Sequence, residues 1–293
     1  MNGLVLIDKP AGCTSHDVVN RWRRLAQTKR TGHLGTLDPM ATGLLALVTG
    51  TATRLAQFFA KDDKTYIAEI IFGSVSDTYD IAGAVTKTGI LASRDPSVVH
   101  DALSEFRGRF LQMPPPVSAK KINGVPAYKL ARKHLPVELQ AVEVEVKRLD
   151  VQSVSTEKIE LIVSCSTGTY IRSLAHDLGQ RLGCGAVLSK LRRIQVGEFT
   201  IEQARTIDEL SELATAGRLC EAVIPAGRLL QHFPGEYVDA SVEAQIRQGR
   251  DFRTSPFVVR PGAPFVRALS HAGDLIAIGE LKMPNLYHPS TVL

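Results

Sequence analysis

One carboxylate stands out because of the loop that carries it. Asp38 lies within the stretch GHLGTLDPMATGLL, residues 32–45, which is rich in turn-forming and small residues. The glycines of this loop permit backbone angles that other residues avoid, and Pro39 biases Asp38 toward an extended conformation. The Asp38 side chain is therefore predicted to be presented for chemistry, with His33 close enough to line the same cleft. The alternative is that Asp38 caps the segment that follows it.

The elements that position this loop are read from the spacing of apolar residues. A short strand is predicted over residues 4–7, and a helix from Ser15 to about Gln27 with Ser15 as its N-cap. Residues 65–72 alternate between two faces as a strand does, and Tyr66 stands near the start of that strand. The small, apolar residues that follow Asp38 suit a segment packed beneath the loop.

The second half of the chain shows the same two periodicities. Val142, Val144 and Val146 alternate with charged residues, and residues 158–165 form a β-prone run. An apolar stripe with helical spacing then follows, formed by Ile171, Leu174, Ala175, Leu178 and Leu182. Strands thus alternate with helices, but not at the regular spacing of a doubly wound fold.

The composition excludes several classes of protein. The chain has 293 residues, 44% of them hydrophobic, yet no apolar run is long enough to cross a membrane. Charge interrupts the first ten residues too early for a secretory signal, so we expect a cytoplasmic protein. The four cysteines lack the spacing of a zinc site or a disulfide framework, and we expect free thiols.

The positive charge of the chain is clustered. The formal net charge is +5 and the pI is near 9.0, which suits a polyanionic partner. Basic residues concentrate in residues 21–30, in residues 120–133 and at the pair Arg192 and Arg193. One such cluster is commonly a solvated face, but three clusters around one site favour nucleic-acid binding.

Two segments differ in composition from the rest. Residues 112–132, QMPPPVSAKKINGVPAYKLAR, combine a triple proline with lysines and a turn, which predicts a basic surface arm that becomes ordered on binding. From about residue 233, short apolar runs are bordered by Gly and Pro. These runs predict a small β-rich domain at the C-terminus.

Seven motifs in this order resemble the family of TruB-type tRNA pseudouridine synthases, and the match extends along most of the chain. The motifs are DKPAGCTSHDVV (residues 8–19), GHLGTLDPMATGLL (32–45), KTYIAEI (64–70), SDTYDIAG (76–83), PPPVSAKKINGVPAYKLAR (114–132), GTYIRSLAHDLG (168–179) and LGCGAVLSKLRR (182–193). The last sixty residues resemble more loosely a PUA-like RNA-binding module.

The resemblance implies the isomerisation of uridine to pseudouridine. In this reaction the N1 glycosidic bond breaks, the uracil rotates and it is rejoined through C5, so neither a cofactor nor a metal is needed. By motif, Asp38 is the nucleophile or acid-base group, Tyr66 stacks on the target or deprotonates near it, and Arg172 pairs with Asp38. An adjacent arginine typically lowers a carboxylate pKa by roughly 1–3 units, which would keep Asp38 ionised.

The resemblance also implies how RNA is bound. The target is the T-loop uridine at position 55 of tRNA, and extrusion of its base costs on the order of a few kcal/mol. His33 would fill the vacated space and Leu191 would form an apolar wall. Further substrate-binding residues are Lys9, which braces the site, Tyr170, and the basic residues Lys121, Lys129 and Arg132 of the arm.

The expected architecture follows the family. We expect a mixed α/β (α+β) catalytic domain with a largely antiparallel sheet over residues 1–232, with the RNA-gripping insertion at about 112–135, and a PUA-like domain over residues 233–293. A monomer that uses neither guide RNA nor an obligate protein partner is expected. Two alternatives stay open: a guide-RNA-dependent, dyskerin-type synthase, and a tRNA-folding chaperone in which Asp38 is vestigial.

Overall fold

The computed structural model describes residues 1–93, 95–117, 121–122, 125–126, 139–260 and 262–293. Strands dominate this part of the chain. They are β1 (Gly3–Lys9), β2 (Thr31–His33), β3 (Thr42–Thr49), β4 (Lys64–Phe72), β5 (Ser74–Ser76), β6 (Val85–Lys87), β7 (Gly108–Gln112), β8 (Lys121–Ile122), β9 (Val125–Pro126), β10 (Val142–Val154), β11 (Lys158–Cys165), β12 (Ala186–Val196), β13 (Phe199–Thr200), β14 (Val223–Pro225), β15 (Gly235–Tyr237), β16 (Phe252–Arg253), β17 (Phe265–Leu269), β18 (Leu275–Met283) and β19 (Leu286–Val292).

Helices are short in the described ranges, and none of them is long and apolar enough to span a membrane. The α-helices are α1 (Ser15–Leu25), α2 (Pro96–Ser104), α3 (Ile171–Arg181), α4 (Ile207–Thr215) and α5 (Ala240–Arg247). Four 3-10 helices cover Gly50–Phe59, Ile201–Gln203, Leu219–Ala222 and Ala226–Arg228.

The N-cap of α1 differs from the prediction by one residue. Thr14 is the N-cap, since its side chain accepts a hydrogen bond from the amide of Asp17 and the Asp17 side chain accepts one from the Thr14 amide. This reciprocal pair is a capping box, which requires the acidic residue three positions after the cap. Ser15 is therefore the first helical residue, and its hydroxyl bonds to the backbone of Leu37 instead.

The large sheet of the described residues has ten strands. Eight lie in the order β14-β1-β3-β12-β4-β11-β10-β7, while β13 pairs with β12 and β2 pairs with β3. The pairings are antiparallel except between β12 and β3, where Arg192 and Arg193 lie opposite Thr42 and Gly43. The expected largely antiparallel, mixed sheet is confirmed.

Both faces of this sheet are covered, because its central strands alternate between two cores. In β3, Leu45 and Leu47 belong to a core that also contains Trp22 of α1 and Leu174 of α3. Their neighbours Leu44, Ala46 and Val48 point to the opposite core, which contains Leu55 of the 3-10 helix after β3. A run buried on both faces reads as continuously apolar, as the sequence does here.

The C-terminal region is β-rich, as expected. Its five strands lie in the order β15-β17-β18-β19-β16, with α5 packed against them. Leu269, Leu275 and Ile278 of this sheet share the second core with Leu4 and Leu6 of β1. The C-terminal sheet is therefore packed directly on the large one.

Candidate active site

A cavity of about 230 Å³ opens where the Asp38 loop, the start of β4 and the β11–α3 connection meet. Five of the residues predicted to act at the site line it: Asp38, Tyr66, Tyr170, Arg172 and Leu191. These residues come from distant parts of the sequence and from four different elements. The pairing of β12 with both β3 and β4 brings them together.

Asp38 and Arg172 form an ion pair at this cavity. Arg172 Nη2 donates a hydrogen bond of 3.1 Å to Asp38 Oδ1, and Arg172 Nε lies 2.9 Å from Asp38 Oδ2. The Asp38 side chain is 33% exposed, whereas that of Arg172 is 7% exposed. The Asp38 carboxylate thus faces the cavity and is paired with a buried guanidinium. Its oxygens contact Arg172, so Asp38 does not cap the segment after it.

Arg172 is itself held by a second acid, Asp80. Arg172 Nη1 lies 3.5 Å from Asp80 Oδ2 and donates to the carbonyl oxygen of Thr78 at 3.1 Å, while Nη2 also donates to the carbonyl oxygen of Val117. The other carboxylate oxygen of Asp80 accepts bonds from Thr78 Oγ1 and the Ala82 amide. These contacts fix the guanidinium from several sides.

The pKa of Asp38 is raised, contrary to the expected lowering. Burial is the main cause because it disfavours the charged carboxylate. Arg172 acts in the opposite direction, but the nearby Asp80 adds a like charge that raises the pKa further. Sequence reasoning included the arginine and omitted both the burial and the second acid.

The Asp38 loop is tied down by three buried polar side chains. Ser15 Oγ accepts from the Leu37 amide at 2.8 Å, and Lys9 Nζ donates to the carbonyl oxygens of Pro39 and Ala41. Arg193 Nη2 donates to the carbonyl oxygen of Gly35 at 3.1 Å, and its Nε donates to that of Leu44 at 2.7 Å. The backbone around Asp38 is therefore fixed before any substrate binds.

The prediction that Arg193 belongs to a basic surface cluster is wrong. Arg193 is 1% exposed, and its guanidinium donates hydrogen bonds to the carbonyl oxygens of Gly35 and Leu44. Its neighbour Arg192 is half-exposed and forms a bidentate ion pair with Asp8. In contrast, Arg21, Arg24, Lys29 and Arg30 of the first cluster are exposed.

Tyr66 and Leu191 line the cavity from adjacent strands. Tyr66 is 9% exposed and Leu191 is 7% exposed. Burial raises the pKa of Tyr66, an effect that the nearby Arg193 opposes. The phenol is therefore protonated at neutral pH in the free protein. Leu191 lies opposite Ala68 of β4 and forms an apolar part of the wall.

Tyr170 is the N-cap residue of α3 and is held through its backbone. Gln112 Oε1 accepts from the Tyr170 amide at 2.8 Å, and Gln112 Nε2 donates to the Tyr170 carbonyl oxygen at 3.0 Å. Gln112 is 1% exposed. The first residue of the predicted arm is therefore anchored beside the site, at the residue two positions before Arg172.

Five predicted site residues do not line the cavity or are not described. Lys9 bonds to the backbone of the Asp38 loop instead. His33 lies at the end of β2, near Arg193 and His16, and burial lowers its pKa. Its Nδ1 is buried and has no hydrogen-bond partner among the described residues. Lys129 and Arg132 lie outside the described residues, as does the side chain of Lys121.

Sequence reasoning missed three residues of the site. They are Asp80, which contacts Arg172, and Arg193 and Lys64, which line the cavity. Each of them stands in a quoted motif: Asp80 lies in residues 76–83, Lys64 opens the motif that contains Tyr66, and Arg193 ends the motif of residues 182–193. All four cysteines are described and free, and no metal-binding group of His, Cys, Asp or Glu occurs in the described ranges.

The chain shares its fold with solved structures. It is similar to a chain from a structure titled as an H/ACA RNP bound to a substrate RNA containing 2'-deoxyuridine, with a TM-score of 0.72 and 23% identity. The match covers 99% of this chain and 84% of that one. At this identity the likeness establishes a shared fold.

Closer relatives are found by sequence. A protein of Solibacter usitatus named tRNA pseudouridine synthase B is 51% identical over 293 residues, which is 100% of both chains. A protein of the same name from Geobacter sulfurreducens is 42% identical and covers 85% of this chain and 82% of its own. The model of the N-terminal domain of TruB family pseudouridylate synthases matches residues 23–171, and that of the tRNA pseudouridylate synthase B C-terminal domain matches residues 172–231. The chain therefore belongs to the TruB family of pseudouridylate synthases.

Proposed function

We propose that this protein converts the T-loop uridine at position 55 of tRNA to pseudouridine, using Asp38 and no cofactor. The carboxylate of Asp38, held in the cavity by Arg172, carries this proposal. The relatives named tRNA pseudouridine synthase B support tRNA as the substrate. The choice of position 55 rests on the resemblance of the motifs alone.

In this proposal the ionised Asp38 reacts with the extruded nucleotide. Attack at C1′, attack at C6 and assistance of an elimination all require the carboxylate form. The fixed loop supports each of these paths, because a prepositioned group avoids the cost of ordering during the reaction. Arg172 orients the carboxylate through two contacts, which is the geometry that favours arginine over lysine.

Tyr66 stacks on the uracil or transfers a proton near it. Because the pKa of Tyr66 is raised, its phenol is protonated in the free protein and cannot act as a base, which favours the stacking role. Leu191 contributes the apolar wall and His33 fills the space left by the extruded base. Tyr170 and Lys9 position the backbone on either side.

RNA would be held by basic residues outside the cavity. The exposed basic residues of α1 and of the connection after it suit phosphate contacts, as do Lys121, Lys129 and Arg132. We further propose that residues 233–293 form a PUA-like RNA-binding domain after a catalytic domain of residues 1–232. A monomer without guide RNA or a protein partner, acting in the cytoplasm, completes the proposal.

The test is purified protein acting on an unmodified tRNA transcript without guide RNA. Wild type should form pseudouridine at position 55, and Asp38→Asn should form none while still binding the transcript, since the loop is held by Ser15, Lys9 and Arg193 rather than by the carboxylate. Turnover by Asp38→Asn at a few per cent of wild type would remove Asp38 from catalysis. A requirement for guide RNA would favour the dyskerin-type alternative, and refolding of tRNA without isomerisation would favour the chaperone.

A further inference from the structure

Lys64 is a buried lysine at the edge of the catalytic cavity. It is the first residue of β4, two positions before Tyr66, so both side chains lie on the same face of the strand. The residue is 7% exposed and lines the cavity. Burial of an ammonium group is costly unless the charge has a partner, so the position of Lys64 requires an explanation.

The contacts of Lys64 leave its charge without an acidic partner. Its Nζ donates to the carbonyl oxygen of Asp62 and to Thr167 Oγ1, the latter at 3.2 Å. Among the described residues, none of the ion pairs within 4.0 Å includes Lys64. Burial lowers the pKa of Lys64, and the guanidinium of Arg193 lowers it further, whereas Asp62 opposes both. An ammonium group has three donors, so one stays available for a ligand.

The turn that contacts Lys64 offers further donors. Residues 166–169 form a turn in which the amide and hydroxyl of Thr169 both bond to the carbonyl oxygen of Ser166, and Gly168 adopts φ +90°. Thr167 and Gly168 are exposed and line the cavity. Their amides have no hydrogen-bond partner in the part of the chain that the structure describes. Successive free amides in a turn are a common anion-binding arrangement.

Other charges of the cavity are already compensated or occupied. The Asp38 carboxylate is paired with Arg172, and Arg193 is used by backbone carbonyl oxygens. The Lys64 corner is therefore the part of the cavity that has spare positive charge and spare donors together. A ligand that complements it is an anion with several acceptor oxygens.

We propose that Lys64, the Thr167 hydroxyl and the amides of Thr167 and Gly168 form a phosphate subsite that holds one of the two phosphodiesters flanking the target uridine. This inference rests on the proposed function, because RNA brings the phosphate. The subsite would fix the backbone of the extruded nucleotide while Asp38 acts on its sugar or base. A bound phosphate would also supply the counter-charge that Lys64 lacks in the free protein.

The experiment is a double-mutant cycle that combines protein variants with RNA molecules in which one phosphodiester is replaced by a neutral linkage. T-arm stem-loops carry a methylphosphonate 5′ of the target uridine, 3′ of it, or far away in the stem. Equilibrium binding is measured for wild type, Lys64→Met and Thr167→Val. Wild type should lose about ten- to a hundredfold in affinity when one flanking linkage is neutralised. Lys64→Met should bind unmodified RNA with the same loss of affinity, and the neutral linkage should weaken its binding no further. Thr167→Val should show a smaller coupling to the same linkage.

The matched control is Lys147→Met. Lys147 is an exposed lysine that pairs with Asp63, beside Asp62, and it should respond to every neutral linkage as wild type does. If the affinity losses of Lys64→Met and of the neutral linkage are additive at both flanking positions, the proposed subsite is wrong. A defect of Lys64→Met confined to the reaction rate would also contradict it. Thermal unfolding checks each variant, and the exposed Thr167 keeps the cycle interpretable if Lys64→Met is unstable. The cycle measures binding alone, so its outcome is distinguishable from a failure of the proposed function. The proposed function fails if wild type forms no pseudouridine in the unmodified stem-loop.

Discussion

At the scale of single residues, the site depends on one guanidinium shared by two acids. Arg172 contacts Asp38 and Asp80 together, and all three are shielded from solvent to different degrees. Charges at this separation interact strongly when water is partly excluded. The protonation state of Asp38 is therefore set by the balance among burial, the arginine and the second acid.

This balance predicts opposite shifts in the pH dependence of the reaction. The pKa of Asp38 is raised above its ordinary value of 3.8, so the carboxylate that the proposed mechanism requires is lost as the pH falls through this raised pKa. Asp80→Asn removes a like charge and should move the acid limb of the single-turnover rate to lower pH. Arg172→Met removes the opposing cation and should move it to higher pH. Shifts in the same direction for both variants would contradict the balance.

The role of Arg172 can be separated from that of an RNA contact. Arg172→Met should lower the single-turnover rate about a hundredfold or more while RNA affinity changes much less, because the guanidinium contacts Asp38 and is nearly inaccessible. Arg181→Met is the matched control on the same helix, since Arg181 is exposed and pairs with Glu105. Equal losses of rate and affinity for Arg172→Met would instead indicate binding.

At the scale of secondary structure elements, the Asp38 loop is held by the strands beside it. The parallel pairing of β12 with β3 places Gly43 against Arg193, and the Arg193 side chain extends to the carbonyl oxygen of Gly35. A Cβ atom added at Gly43 would lie 2.2 Å from the Arg193 carbonyl oxygen. Close approach of two backbones therefore positions the loop.

A glycine substitution tests this close approach. Gly43 (φ +99°) and Gly12 (φ +81°) both adopt backbone angles that disfavour alanine, but nothing lies within 4 Å of an added Cβ at Gly12. Gly12→Ala should lower the free energy of unfolding by about 1 kcal/mol. Gly43→Ala carries the same strain plus a steric overlap, which adds about 1–3 kcal/mol. Urea denaturation measures both, and equal losses would show that the contact with β12 relaxes without cost.

Local sequence patterns predicted several of the elements around the site but not the contacts between them. The alternation that begins at Tyr66 predicted β4, and the helical spacing from Ile171 predicted α3. The N-cap of α1 was displaced by one residue because Thr14 and Ser15 are both good caps, and only the spacing to Asp17 distinguishes them. The function of Arg193 could not be read locally, since its partner Gly35 is 158 residues away.

At the scale of the whole molecule, the C-terminal sheet and the large sheet pack against each other through a shared core. The C-terminal sheet shares a core with β1 and β3, and Gln57 Nε2 donates to Thr291 Oγ1 at 3.0 Å across the contact. Phe58 packs edge-on against Phe233 and Phe265 in the same region. This packing supports the proposal that the RNA-binding surface extends over both sheets.

The contribution of the predicted basic arm is measurable as a salt dependence. If Lys121, Lys129 and Arg132 contact phosphates, replacing all three with Gln releases fewer counterions on binding. The slope of log affinity against log salt should then become shallower by about 0.7 to 0.9 per lost contact, or about 2 to 3 in total. The rate on RNA that is already bound should change less, because none of these residues is proposed to contact the uracil.

The appropriate control removes the same charge from elsewhere. Arg181, Arg218 and Lys282 are exposed and each pairs with a carboxylate, so their triple Gln variant has the same net charge as the arm variant. Long-range attraction to RNA depends on net charge and should weaken similarly in both variants, whereas the number of released counterions depends on direct phosphate contacts. A shallower slope confined to the arm variant would therefore assign the contacts to these three residues. An unchanged slope, or the same change in both variants, would mean that the arm lysines and arginine form a solvated face.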